Sequence, residues 1–390
     1  MSEKIIEKGQ TARLSKVAGN LKIEKDATLI AENGIIVVDG SITSKGSFVC
    51  EGDLRARNLR VKSGSAEIVG HLELEQYAQV DNKLEVNGNM LCPEVGVGGS
   101  LEVAKDLTSE SVKVGGTIKI GGAAKVESLQ VGGTLKIYGE NNIGSISVGG
   151  TVKLLATSTI DELKVGGTVK VTGGKIEVIK VGGTFKASEK IEIGIIDVGG
   201  TVKLEDDAKI QDLDVGGTLK TSANLEFGKI DVGGTIRIEG NAEGETVKVG
   251  GTLTCNENLT CSGNIRVGGS CTVEKVLTGD EIEVGGSVKA KLITGNYFKI
   301  GRRGEVQGVV SAKTIIISSR ATAEDLYGSE IRIEENARIQ NIYGEDISIE
   351  EGARVSGEIL YTNDIYIEEG ARITNEPKKV KSLPEPKAYD

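Results

Sequence analysis

One seven-residue figure, Val114-Gly115-Gly116-Thr117-Ile118-Lys119-Ile120, limits what this chain can become, because it returns at nearly constant spacing through half of the sequence. With its first Val as the mark, it recurs at Val97, Val114, Val131, Val148, Val165, Val181, Val198, Val215, Val232, Val249, Val267 and Val284. Successive marks differ by 17 in sequence number, save one step of 16 and one of 18. So short and regular a period predicts a solenoid, whose turns rest only on their neighbours.

The alternation inside the unit says which solenoid. Apolar residues stand two places before the mark (Val112, Leu129, Ile146), at the mark, and past the glycines at Ile118 and Ile120 and their equivalents. Apolar side chains at every second place mean strands with one buried face. The rest of the unit supplies a further short strand with Val126, Ile143 and Ile160 turned inward. Three short strands in about 17 residues predict an all-β fold, a single-stranded parallel β-helix. The glycine pair is assigned to a corner that wants positive φ and no Cβ.

Before residue 97 the figure is degenerate, at Val17, Val38, Cys50, Ile68 and Val86. The step from 86 to 97 breaks phase and predicts a loop or a shift of side near Pro93. After 284 the beat continues at Ile300, Ile317, Ile333, Ile349 and Ile367, the last three opening near-copies of Glu-Glu-x-Ala-Arg. The expected organisation is an N-terminal tail (1–12) and one continuous, elongated β-helix (13–375) in stretches 13–96, 97–290 and 291–375. A disordered C-terminal tail (376–390) follows, because Pro377, Pro384 and Pro386 fall there and only Pro93 falls elsewhere.

A formal charge of −10 argues against nucleic acid as a partner. No apolar run approaches the ~20 residues of a membrane span, and the opening residues lack an apolar signal region. These features place the chain in the cytoplasm. Cys50, Cys92, Cys255, Cys261 and Cys271 all fall at inward aliphatic places, as small core hydrophobes in a reducing compartment. With no Cys-x-x-Cys and no histidine nearby, no metal site is expected.

His71, the only histidine, is assigned to the outward place usually held by Thr, as a solvated surface residue. Its isolation argues against histidine-ligated zinc, a Ser-His-Asp triad and a histidine base. The pairs Glu334-Glu335, Glu350-Glu351 and Glu368-Glu369 read as ladders of alternating sign with Arg338, Arg354 and Arg372, rather than as acid catalysts or calcium ligands. No phosphate-binding loop is present. Catalytic residues, cofactor and metal are therefore all expected to be absent.

Two outward features remain. Thr117 through Thr252 form one column, with Lys119 through Lys220 beside it, either a solvated face or a surface for a polyanion. Tyr327, Tyr343 and Tyr361 recur at 16 and 18, as a lateral contact or a docking strip for the tail.

The run Gly352-Ala-Arg-Val-Ser-Gly-Glu-Ile359, set in a periodic β-helix over about residues 15–375, resembles the bactofilins, a family of polymer-forming cytoskeletal proteins. The resemblance implies a right-handed parallel β-helix with flexible tails, assembly of the chain with itself end to end without nucleotide, and a scaffold for other proteins. Terminal turns leave strand edges unpaired, and the turns near Val17, Leu21 and Ile23, and near Ile365, Ile367 and Ile373, are expected to form the joint. One alternative is a non-polymerising β-helical rod that binds an anionic polymer or a protein. Another is a β-helical carbohydrate-active enzyme or acyltransferase, against which the even turn length argues, since it leaves little room for site-building loops.

Overall fold

The computed structural model describes residues 3–388, and all regular structure in it is β-strand. The chain forms two compact units, Met1–Ile193 and Gly194–Asp390. Each is a parallel β-solenoid in which a strand pairs with the strand one turn further along the chain.

In the first unit the register runs Val114, Val131, Val148, Val165, Val181. A regular turn contains a four-residue strand, such as Thr117–Ile120, and an eight-residue strand, such as Ala124–Val131. The longer strand bends. Its buried positions alternate through Ala124 and Val126, slip at Glu127 and resume at Leu129 and Val131, and the pairing skips Glu127. Three walls result: a Thr wall (Thr117–Ile120), a middle wall (124–126) and a Val wall (128–131). Two of the three expected strands are thus one bent strand, and the six inward side chains Ala124, Val126, Leu129, Val131, Leu135 and Ile137 are all buried.

The glycine pairs are needed for a reason other than positive φ. Among the described residues the left-handed glycines include Gly19, Gly52, Gly174 and Gly352, but no member of a Val-Gly-Gly pair. A Cβ on Gly132 would instead lie 2.1 Å from the carbonyl oxygen of Gly115 one turn earlier. The chain packs backbone on backbone here, held by Gly132 N–H donating to Val114 O at 3.0 Å and Gly133 N–H to Gly116 O at 2.9 Å.

The phase break near Pro93 is a shift of side. Ile68 pairs with Val86, Val86 with Val103 and Val103 with Ile120. The degenerate marks at Ile68 and Val86 therefore lie in the Thr wall, seven places after Val61 and six after Val80, the residues that hold the Val-wall mark in those turns. By contrast, Val17 pairs with Val38, a longer step than any in the regular region, the surplus taken up by an excursion around Gly34 between Ile30 and Ile35. The expected N-terminal tail is also paired: Glu3–Ile6 lies on Asn20–Ile23 and Thr11–Leu14 on Thr28–Ala31. Lys4 holds the inward place opposite Leu21, which hides the alternation of this strand.

In the second unit Val215, Val232, Val249, Val267 and Val284 stack in register. Longer strands follow, Ser287–Ile300, Glu305–Ile317, Thr322–Ile333 and Arg338–Ile349. Their corners are tight turns with one left-handed residue each, Arg303, Arg320, Asn336, Gly352 and Gly370. Ala337 N–H closes one turn on Glu334 O at 3.3 Å, and Ala353 N–H closes the next on Glu350 O at 3.2 Å. A positive φ at the third residue is what such a turn requires.

Beyond residue 376, Lys378 and Lys379 pair with Leu360 and Tyr361, so this part of the expected disordered tail adds a strand. At the same spacing the next Val-wall strand would include Pro384, which has no N–H to donate.

Candidate assembly edges

A strand in a parallel ladder divides its backbone hydrogen bonds between two neighbours, so first and last turns carry unpaired groups. At the start of the first unit, Glu3–Ile6, Thr11–Leu14 and Lys16–Val17 are each paired on one side only among the described residues. Followed column by column, they belong to the Val, Thr and middle walls. At the end of the second unit the one-sided strands are 364–367, Arg372–Ile373 and Lys378–Lys379. These are the same three walls in the same order.

The two edges differ in chemistry. Ile365, Ile367 and Ile373 are only half-buried, whereas Ile347, Ile349 and Val355 one turn earlier are buried. At the N-terminal edge Ile6, Leu14 and Val17 are buried and Lys4 is exposed. The C-terminal edge thus offers apolar surface as well as backbone groups, while the N-terminal edge offers mainly backbone groups. On the outer face of the Val wall stand Ile5, 46% exposed, at one edge and Tyr366, 61% exposed, at the other.

Of the residues expected at the joint, Ile365, Ile367, Ile373 and Val17 lie in terminal turns. Leu21 and Ile23 do not. The strand Glu3–Ile6 covers them and both are fully buried; Ile5 and Ile6 hold the edge in their place.

The tyrosine column is also changed. Tyr327 and Tyr343 stack with ring centroids 4.5 Å apart at 26°. The next register partner of Tyr343 is Leu360, and Tyr361 falls beside Gly344. Ile359, rather than Leu360, is the inward residue of that turn. Tyr361 takes the tail instead, with Lys379 Nζ 5.8 Å from its ring centre. Burial pushes the Tyr343 hydroxyl up to about 12, aided by Tyr327 and the acids Glu358 and Asp325.

His71 is exposed, as expected of a surface residue, but it does not hold the place of a Thr. Leu72 pairs with Met90 and Met90 with Leu107, which sets His71 at the corner before the middle wall. There it joins a side-chain ladder. His71 N–H donates to Asp53 Oδ1 at 2.7 Å, Asn89 N–H to His71 Nδ1 at 2.9 Å, Asp106 N–H to Asn89 Oδ1 at 3.2 Å and Ala123 N–H to Asp106 Oδ1 at 2.8 Å. The second unit repeats the device, as Asn224, Asn241 and Asn258 N–H each donate to the carboxyl or amide oxygen one turn earlier, at 3.0, 3.0 and 3.3 Å. The recurrence of Asp207, Asn224, Asn241 and Asn258 at a constant step was the available signal.

The paired glutamates are corner fixtures. Glu334 accepts from Ser319 N–H at 3.0 Å, Glu368 from Glu351 N–H at 2.8 Å, and Glu350 from Arg332 Nη2 at 2.7 Å. Arg338, Arg354 and Arg372 stack on one another instead of alternating with these acids. All five cysteines are free and buried, and burial pushes Cys50, Cys92, Cys261 and Cys271 up to about 12. No group of His, Cys, Asp or Glu among the described residues is arranged to hold a metal ion. No helix is long and apolar enough to cross a membrane. Comparison with protein-family models, with curated proteins and with solved structures gives no match.

Proposed function

We propose that this chain is a non-enzymatic structural protein, akin to the bactofilins, whose copies join end to end through their terminal turns, without nucleotide, into scaffolding filaments in the cytoplasm. The observation that carries this reading is the match of walls: the strands left open at the C-terminal turn are those left open at the N-terminal turn, in the same order. The five free thiols suit a reducing compartment.

In the joint, strand 364–367 of one copy takes Glu3–Ile6 of the next as its parallel neighbour. Ile367 then meets Ile6 in the core, and Tyr366 meets Ile5 outside. Such a contact uses two different patches, and where its rotation does not close it builds an open polymer. Lys4 arrives over Ile365, and burying its ammonium there opposes the joint. That opposition raises the concentration at which assembly sets in.

Negative-stain microscopy and light scattering of the full chain test this. Wild type is expected to form filaments, Ile367→Lys to abolish them with unchanged circular dichroism, and Lys4→Ile to lower the concentration at which they appear. A monodisperse wild type at every concentration, or unchanged filaments from Ile367→Lys, would sink the proposal.

A further inference from the structure

The Thr wall of the first unit carries an outward pattern that end-to-end assembly does not use. Lys119, Lys136, Lys153, Lys170 and Lys186 stand on successive strands in direct register, and beside them stand Thr117, Thr134, Thr151, Thr168 and Thr184. The rows repeat at ~4.8 Å. Like charges directly opposite one another weaken a sheet, so the mutual repulsion along this row costs the fold stability.

Neutralisation within the chain is partial. Glu102 takes Lys119, and Lys136 Nζ sits 4.4 Å above the ring of Tyr138. Among the described residues no carboxylate lies within ion-pair distance of Lys153 or Lys170, and the five Thr hydroxyls have no hydrogen-bond partner. Glycine pairs leave the corner on one side of the rows bare. On the other side Tyr138 and Leu155 are 39% and 46% exposed, and Leu155 N–H donates to Ile137 O at 2.9 Å, which sets the two side chains one turn apart. Each turn therefore presents an ammonium and a hydroxyl, with an apolar ledge along part of the row. On a chain of formal charge −10 this basic strip is a local exception.

We propose that this face binds a linear polysaccharide carrying a carboxylate on each sugar ring. Such a polymer repeats, ring by ring, the complement of what the wall repeats strand by strand: a carboxylate for the ammonium, hydroxyls for the Thr row, and an apolar ring face for Tyr138 and Leu155. A polyphosphate matches the charge and leaves the ledge unused. The inference is independent of assembly, since no residue of the face lies in a terminal turn.

The test is anisotropy of a fluorescein-labelled oligogalacturonate titrated with the full chain. The triple variant Lys136→Gln, Lys153→Gln, Lys170→Gln is expected to weaken binding by roughly three- to 150-fold, as three exposed charge contacts of ~0.2–1 kcal/mol each allow. It should also flatten the salt dependence. Tyr138→Ala is expected to lose a few-fold, the methyl-esterified oligomer to bind no better than background, and Lys175→Gln on the middle wall to match wild type. Ile367→Lys is expected to bind as wild type does, which separates this inference from the assembly reading. No binding, an unaffected triple variant, or polyphosphate bound equally well and insensitive to Tyr138→Ala overturns it. So does a triple variant that dissociates lateral aggregates in the absence of any polymer, because the row then holds a second copy.

Discussion

The Val-Gly-Gly corners and the Glu-Glu-x-Ala-Arg corners turn similar solenoids by different means, and glycine serves each for a different reason. At a Val-Gly-Gly corner its own backbone is ordinary, and it is small because the carbonyl of the turn before occupies the space of a Cβ. At a Glu-Glu-x-Ala-Arg corner its neighbours leave more room but φ is +72° at Gly352, and Asn336 fills the same place at +59° one turn earlier. The exchange happens at one point. Gly301 and Gly304 still stack on Gly285 and Gly286, but Arg302 and Arg303 are inserted between them, with Arg303 at φ +61°. One residue type thus answers a steric demand between turns in one region and a torsional demand within a turn in the other.

The strongest way to break this comparison is Gly132→Ala. Its Cβ would lie 2.1 Å from a backbone oxygen, and ladder bonds hold that oxygen's chain on both sides. A loss of ~1–3 kcal/mol is expected, as for overpacking of a rigid core. Urea unfolding and hydrogen exchange over residues 114–149 measure it; a loss below ~0.5 kcal/mol would show the corner to be slack.

A smaller effect is expected at Gly352. Gly352→Ala should cost ~1–2 kcal/mol, the penalty of the left-handed region for an ordinary residue. Gly352→Asn should cost less than half of that. Equal losses for Ala and Asn would mean that space, rather than φ, governs this corner too.

The smallest expected effect is ionic and belongs to the Val-Gly-Gly region. A hydrogen bond from Lys119, helped by Lys83, holds the Glu102 carboxyl below its ordinary value despite partial burial. A lowered folded value stabilises the fold above the ordinary carboxylate range near ~4.3, and that contribution fades as pH falls through the lowered value. Glu102→Gln should therefore cost under ~1 kcal/mol at pH 7 and nothing near pH 2, read from urea midpoints at both.

The sequence carried the turn length, the inward faces and the buried places of all five cysteines, because side-chain direction alternates along a strand and each residue's direction follows from its immediate neighbours. The Thr and Lys columns were legible too, since a constant spacing puts equal residues on equal strands. What failed was phase. Ile68 and Val86 look like Val131 because every wall with an aliphatic before a glycine reads alike, and only pairing shows that they sit one side away. His71 went astray with that error. Tyr361 was lost to a single extra residue, since it stands one place further from Tyr343 than Ile359 stands from Ile342. At the candidate joint, the C-terminal trio lies in the last turn and Val17 in the first. Leu21 and Ile23 fail because Lys4, an inward lysine, disguised the strand above them.

Taken alone, the order of residues determined a β-solenoid of short, nearly constant turn length and which side chains build its interior, since both are written in spacings of two and of one turn. Only the folded molecule decided how turns align across the breaks in phase, why paired glycines are indispensable, and which strands are paired on one side only among the described residues. Those are contacts between residues a full turn apart, where one inserted residue moves every partner, and no local pattern records it.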